Sequence, residues 1–109
     1  MRKLILTPSF EEFYKTSSNR LAEKIDYALT ILEQIDVPST KFIKKLRGSR
    51  FYELRISAEN EYRVLLSPID TANIIEARQV LVLQGFQKKS TKDYNKQIAI
   101  EERIIGDLL

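Results

Sequence analysis

Phe51-Tyr-Glu-Leu-Arg-Ile-Ser57, Ala58-Glu-Asn60 and Glu61-Tyr-Arg-Val-Leu-Leu-Ser67 are the residues that decide the fold. The first and third segments alternate with a period of two, as strands do. Tyr52, Leu54 and Ile56 share one face, and Phe51, Glu53, Arg55 and Ser57 share the other. In the partner, Tyr62, Val64 and Leu66 oppose Glu61, Arg63, Leu65 and Ser67. A turn centred on Glu59 pairs Arg55 with Arg63 and Glu53 with Leu65. A slip of one residue would turn one strand's apolar set away from the other's. The register therefore puts both arginines on one face beside Glu53, away from the apolar face that meets the helices.

Downstream, Pro68 to Asn73 reads as a loop. Ile74 to Phe86 contains a further strand, strongest at Val80-Leu-Val-Leu83, whose continuous apolar run suits a strand packed on both sides. Glu76-Ala-Arg-Gln79 interrupts that character, so the strand either starts late or carries a bulge there. Gly85 marks a bend. Ser90 or Thr91 caps a final helix from Lys92 to about Leu108, with Ile98, Ile104, Ile105 and Leu108 as its apolar positions.

Upstream, Lys41-Phe-Ile-Lys-Lys-Leu-Arg-Gly48 reads as a basic connector with a helical turn ending near Gly48. Arg20 to Ile35 is a helix: Leu21, Ile25, Ala28, Leu29, Leu32 and Ile35 make one stripe at spacings of three and four. Val37-Pro38 stops it. Ser18 or Asn19 caps it. Before it, Ser9 and Glu12 have capping-box spacing, and Phe10, Phe13 and Tyr14 give a short first helix its apolar face. Arg2 to Leu6 is a short strand. The expected fold is a single α+β domain over residues 1–109. Its order is an N-terminal strand, a two-helix hairpin, a three-stranded antiparallel meander completing a four-stranded sheet, and a C-terminal helix.

Composition narrows the chemistry. The 109 residues include no cysteine and no histidine. That excludes disulfides, thiolate metal sites and histidine acid–base catalysis. No apolar run reaches the roughly 18–20 residues of a membrane span. The apolar stretch at the N-terminus is too short for a signal peptide, and the expected location is the cytoplasm. No cofactor and no metal is expected. Charge is unevenly spread: residues 1–40 carry 5 basic and 6 acidic side chains, residues 41–92 carry 11 and 5, and residues 93–109 carry 2 and 4. A net +6 in the middle is a footprint for a polyanion such as RNA, or a solvated lysine-rich surface.

Arg55, Arg63 and Glu53 on one sheet face suit phosphate chemistry. The guanidinium fork donates parallel hydrogen bonds and keeps its charge. Lys41, Lys44, Lys45, Arg47 and Arg50 precede this face in sequence, and Lys88 and Lys89 follow it. The alternative is that each arginine serves only a strand-neighbour ion pair, Arg55 with Glu53 and Arg63 with Glu61.

Phe51-Tyr-Glu-Leu-Arg-Ile-Ser57, then Glu61-Tyr-Arg-Val64, then Val80-Leu-Val-Leu-Gln-Gly-Phe-Gln-Lys-Lys89 resemble, in that order, the RelE/ParE toxin superfamily, and most nearly its HigB-like, phage-derived branch. The resemblance implies a toxin of a type II toxin–antitoxin pair. Its expected partners are a cognate helix-turn-helix antitoxin, the ribosome and mRNA. It implies metal-independent mRNA cleavage in the ribosomal A site, by attack of a ribose 2′-hydroxyl on its own 3′ phosphate. By that resemblance Arg63 and Arg55 stabilise the phosphorane, Lys88 or Lys89 serves the leaving oxygen, and Glu53 accepts the 2′-hydroxyl proton. Phe86 stacks on a base or is buried at the strand end. Lys44, Lys45, Arg47 and Arg50 hold RNA backbone. The chain departs from the branch at Gln84, where a histidine is usual, and in the longer stretch from Asp70 to Gln79. ParE-type relatives bind DNA gyrase instead, and an inactive remnant of the fold is a further alternative.

Overall fold

The hairpin forms with the register its alternation demands. Strand β3 (Tyr52–Ala58) pairs antiparallel with β4 (Asn60–Pro68), with Arg55 opposite Arg63 and Glu53 opposite Leu65. Glu59 makes the turn at φ 69°, in the left-handed region. The computed structural model of the chain describes residues 1–89 and 91–108, and within the last helix the side chains at 92 and 95–103. The expected cap at Ser90 or Thr91 and the apolar positions Ile104, Ile105 and Leu108 lie outside what it describes.

Around this hairpin the sheet has five strands, in the order β1-β5-β4-β3-β2. The expectation of four strands is corrected by β2 (Ile43–Lys45), which pairs with β3 along its outer edge. That segment had been read as a connector with a helical turn. Two lysines in a three-residue strand hide the alternation that would have revealed it. The other edge is β1 (Lys3–Leu6), parallel to β5 (Gln79–Gln87), so the sheet is mixed. β5 begins late, after the interruption at Glu76 to Gln79.

Helices α1 (Pro8–Lys15) and α2 (Asn19–Gln34) cover one sheet face. Leu21, Ile25, Ala28 and Leu32 are buried there against Leu54, Ile56, Val64, Leu66, Val80 and Val82. Ser18 caps α2, accepting from the Leu21 N–H at 3.2 Å. The cap of α1 is Thr7, not Ser9: its hydroxyl accepts from the Phe10 N–H and donates to Leu83 O. Pro8 then occupies the first helical position, where its missing N–H costs nothing.

Arg2 was not singled out in the sequence, yet it is buried and joins three segments. Its guanidinium donates to Leu32, Ile35 and Asp36 carbonyls at the end of α2 and to Ile74 and Ile75 carbonyls in the loop before β5, at 2.5–3.2 Å. The last carbonyls of a helix lack partners and carry its negative dipole end, so a cation suits them. Asp70 closes the same loop by accepting from the Arg78 and Gln79 N–H groups, which holds its carboxyl below the ordinary aspartate range.

The second sheet face has its own core. Phe51, Leu65 and Leu83 are buried there, with Leu46, Leu81, Phe86 and Ile98 packed around them. Ile98 comes from α3 (Thr91–Leu108), which lies across this face. The face had been read as lying apart from the core. The structure corrects this: polar residues and a second apolar cluster share it.

β5 serves both cores by alternation and then carries a β-bulge. Leu65 pairs with Gln84 and Leu66 with Val82, which leaves Leu83 as the extra residue. Val80 and Val82 face α1 and α2. Past the bulge, Gln84 and Phe86 share the Arg63 face, and Gly85 turns to the first core. A Cβ on Gly85 would lie 2.3 Å from ring carbons of Phe13. Gly85→Ala should therefore destabilise the fold by roughly 1–3 kcal/mol through overpacking. Phe13→Ala in the same chain should recover part of that loss. Urea denaturation of the two single variants and the double variant measures the coupling, and strict additivity would exclude it.

Candidate phosphate-binding face

The charged residues of the second face surround one carboxylate. Glu53 is buried, with 5% of its side chain exposed. Arg55 Nε donates to Glu53 Oε1 at 2.9 Å. On the neighbouring strand, Arg63 Nε lies 3.7 Å from Glu53 Oε2, an ion-pair distance too long for a hydrogen bond. Arg63 is itself buried; its Nη1 donates to the Tyr62 carbonyl at 2.8 Å and lies 3.5 Å from Glu61 Oε1. Both expected strand-neighbour ion pairs thus form. The ion pairing goes further, because two guanidiniums share Glu53, and with Glu61 the two arginines and two carboxylates balance.

Burial decides what this trio costs. An arginine out of water needs a compensating charge, and removing that partner is strongly destabilising. Arg63 Nε is buried without a hydrogen bond. A donor left so costs about 1–3 kcal/mol.

Glu61 is exposed at the rim. It accepts from the Ser57 hydroxyl at 2.6 Å. That bond, with Arg63 and Lys88 nearby, holds its carboxyl below the ordinary range. Sequence reasoning had treated Glu61 only as a possible partner for Arg63. Its place opposite Ser57, at the turn end of the hairpin, makes it part of the same polar group.

The structure gathers some of the expected residues and separates others. Lys88 donates its backbone N–H to Glu61 O at 2.8 Å, and its side chain contributes to the positive field at Glu61. Lys89 follows it, also exposed. Phe86 pairs across from Arg63 and packs partly buried against the second core. Lys44 pairs across from Glu53 and is exposed on that side. Lys45 turns to the opposite face, its ammonium 5.3 Å from the Tyr52 ring centre and bonded to Ser49 O. Arg47 is exposed in the turn after β2. Arg50 lies 3.8 Å from Glu102 of α3. Gln84, at the position of the branch's usual histidine, donates to Gln97 of α3. Among the described residues no three acidic side chains gather as a metal site.

A mixed sheet with two helices on one face, a third helix across the other and an arginine pair on a carboxylate defines an α+β domain with a basic sheet face. Residues 12–105 match the family described as Phage derived protein Gp49-like (DUF891). The chain belongs to that family. No curated protein matches it in sequence. Among solved structures it is similar to RelE in the intact E. coli RelBE toxin–antitoxin complex. There the TM-score is 0.61 at 18% identity, over 83% of this chain and 100% of that one. It is likewise similar to the isolated E. coli RelE toxin, with TM-score 0.61 at 18% identity, over 91% of this chain and 97% of that one. At this identity the likeness is one of fold.

Glu53→Ala should lower stability by about 3–5 kcal/mol, because it removes the buried partner of Arg63 and leaves only the exposed Glu61. Glu53→Gln keeps the shape and should lose less. Urea unfolding followed by circular dichroism measures both; an unchanged midpoint for Glu53→Ala would show that the carboxylate does not hold Arg63.

Proposed function

We propose that the chain is the toxin of a type II toxin–antitoxin pair, and an endoribonuclease that cuts mRNA on the ribosome. The observation that carries this reading is the pair of guanidiniums, Arg55 and Arg63, held on one buried carboxylate, with Glu61 and Lys88 at the rim. Family membership and the RelE fold support the toxin. The E. coli RelBE complex includes an antitoxin, and by analogy this chain is neutralised by a cognate antitoxin of its own.

In this reading the scissile phosphate sits between Arg55 and Arg63. The ribose 2′-hydroxyl attacks the adjacent phosphorus and gives its proton to Glu53. The two arginines offset the charge that develops on the phosphorane oxygens, a contribution typical of preorganised donors. The bond to the 5′ oxygen breaks, and Lys88 or Lys89 supplies that oxygen's proton. The products are a 2′,3′-cyclic phosphate and a 5′-hydroxyl end. Lys44 and Arg47 hold the RNA backbone, where charge matters more than sequence. No step needs a cofactor. The place of action is the cytoplasm, where ribosomes translate.

A second reading is favoured by the burial of Arg63. A guanidinium enclosed beside the second core suits a structural role, and a toxin of this fold that binds DNA gyrase has no use for a phosphate site.

The test separates the two. Expression of the wild type should arrest growth and leave mRNA cut at codon edges by primer extension. Arg63→Ala and Arg55→Ala, at equal protein level, should each lower the cleavage rate by about 10²–10³-fold and relieve arrest. Unchanged cleavage in Arg63→Ala removes the proposed site. DNA double-strand breaks with intact mRNA establish the gyrase reading.

A further inference from the structure

The sheet face that carries the arginine pair runs on past it toward the hairpin turn. Arg55, Arg63 and Phe86 form one cross-strand rank. Two residues on along each strand, Ser57 and Glu61 pair with each other, and Lys88 joins them through its N–H to Glu61 O at 2.8 Å. Residues two apart in a strand share a face, so this second rank adjoins the first. Ser57, Glu61 and Lys88 are all exposed.

A carboxylate is an odd member of such a rank. Glu61 Oε1 lies 3.5 Å from Arg63 Nη1, and at the rim of a site that takes phosphate its charge repels the ligand. The fold does not require it, because the side chain is 55% exposed and Arg63 already has Glu53. What a carboxylate offers a ligand is an acceptor for a hydroxyl. Glu61 Oε2 already accepts one, from Ser57 at 2.6 Å. A carboxylate has about four acceptor positions over its two oxygens, so that bond leaves room for a second hydroxyl. The Ser57 bond, with Arg63 and Lys88 nearby, holds the carboxyl below its ordinary range and keeps it an acceptor at neutral pH.

We propose that Glu61 accepts a hydrogen bond from a ribose 2′-hydroxyl beside the phosphate at Arg55 and Arg63, and so selects RNA over DNA. The 2′-hydroxyl is the group by which a protein tells the two apart at a given position. The proposal rests on the RNA reading above and adds sugar specificity to it. The arginine rank lies between Glu53 and Glu61, so the two carboxylates flank the phosphate from opposite sides. Glu53 meets the attacking ribose. Glu61, in the rank of Lys88, meets the ribose that carries the leaving 5′ oxygen. Against DNA, Glu61 has no hydroxyl to accept from and only repels the backbone.

Two single-stranded all-adenine hexamers, one RNA and one DNA, carry the same fluorescent label. Each is titrated by anisotropy at low ionic strength against the wild type, Glu61→Ala and Glu61→Gln. The wild type should bind RNA roughly tenfold more tightly than DNA, the effect of one hydrogen bond to a charged group. Glu61→Ala should tighten DNA binding and cut the RNA lead to less than about threefold. Glu61→Gln loses the charge but keeps an acceptor oxygen. It should tighten both ligands and keep a larger RNA lead than Glu61→Ala does. An RNA lead that is the same in the wild type and Glu61→Ala reduces Glu61 to a repelling charge. That result overturns the proposal and leaves the nuclease reading standing, as does equal binding of RNA and DNA by the wild type. No binding of either ligand to the wild type overturns the proposal too, and the primer-extension assay then decides the nuclease reading independently.

Discussion

One extra residue in β5 sets the arrangement of the whole molecule. A regular strand would keep Gln84 and Phe86 on the same side as Val80 and Val82, under α1 and α2. The bulge at Leu83 reverses the facing of everything after it. The same strand supplies Val80 and Val82 to one core and Leu81 and Leu83 to the other by alternation, and the bulge adds Phe86 to the second. Gly85, turned inward by the same shift, admits Phe13 to the sheet surface. Gln84, turned outward, meets Gln97 of α3. The two faces of the sheet are thus matched to their helices by one local irregularity.

On the second face, charge and apolar packing occupy adjoining ground. Phe51, Leu65 and Leu83 bury a small cluster, and Glu53 and Arg63 lie beside it almost as deeply. Apolar neighbours lower the local dielectric and strengthen the attraction between carboxylate and guanidinium, while making each charge costly to leave alone. Arg55, half exposed, connects this enclosed group to the surface. A rigid inner charge and an accessible outer one suit a site that must hold its shape before an anion arrives.

Much of this was legible in the sequence. The hairpin register could be read because period-two alternation and a three-residue turn leave little freedom, and α2 because its stripe is unbroken. Other features carried no signal. Val80-Leu-Val-Leu83 is apolar on both sides, so it cannot show where its facing reverses. Lys44 and Lys45 disguise β2. Thr7 was passed over as the helix cap in favour of Ser9, although Pro8 fits the first helical position and so points one residue upstream. The joint placement of Arg55 and Arg63 followed from register alone. The burial of Arg63 did not, because it depends on packing around the second core that forms only in three dimensions. Arg2 reads as an ordinary terminal cation; its value lies in carbonyls brought to it by distant segments.

Those carbonyls impose an order of events on the chain. The Arg2 side chain is 72 residues from its partner Ile74, and β1 pairs with β5, the strand farthest from it in sequence. The hairpin of β3 and β4 closes over a three-residue turn and can form early. Pairings across long separations must overcome a large loop-closure entropy and are slow to form. During synthesis, β1 emerges first and waits until β5 has emerged. Until then β1 has no strand to pair with, and Arg2 lacks the Ile74 and Ile75 carbonyls that complete its set. The earliest segment therefore cannot dock until one of the later ones has been made.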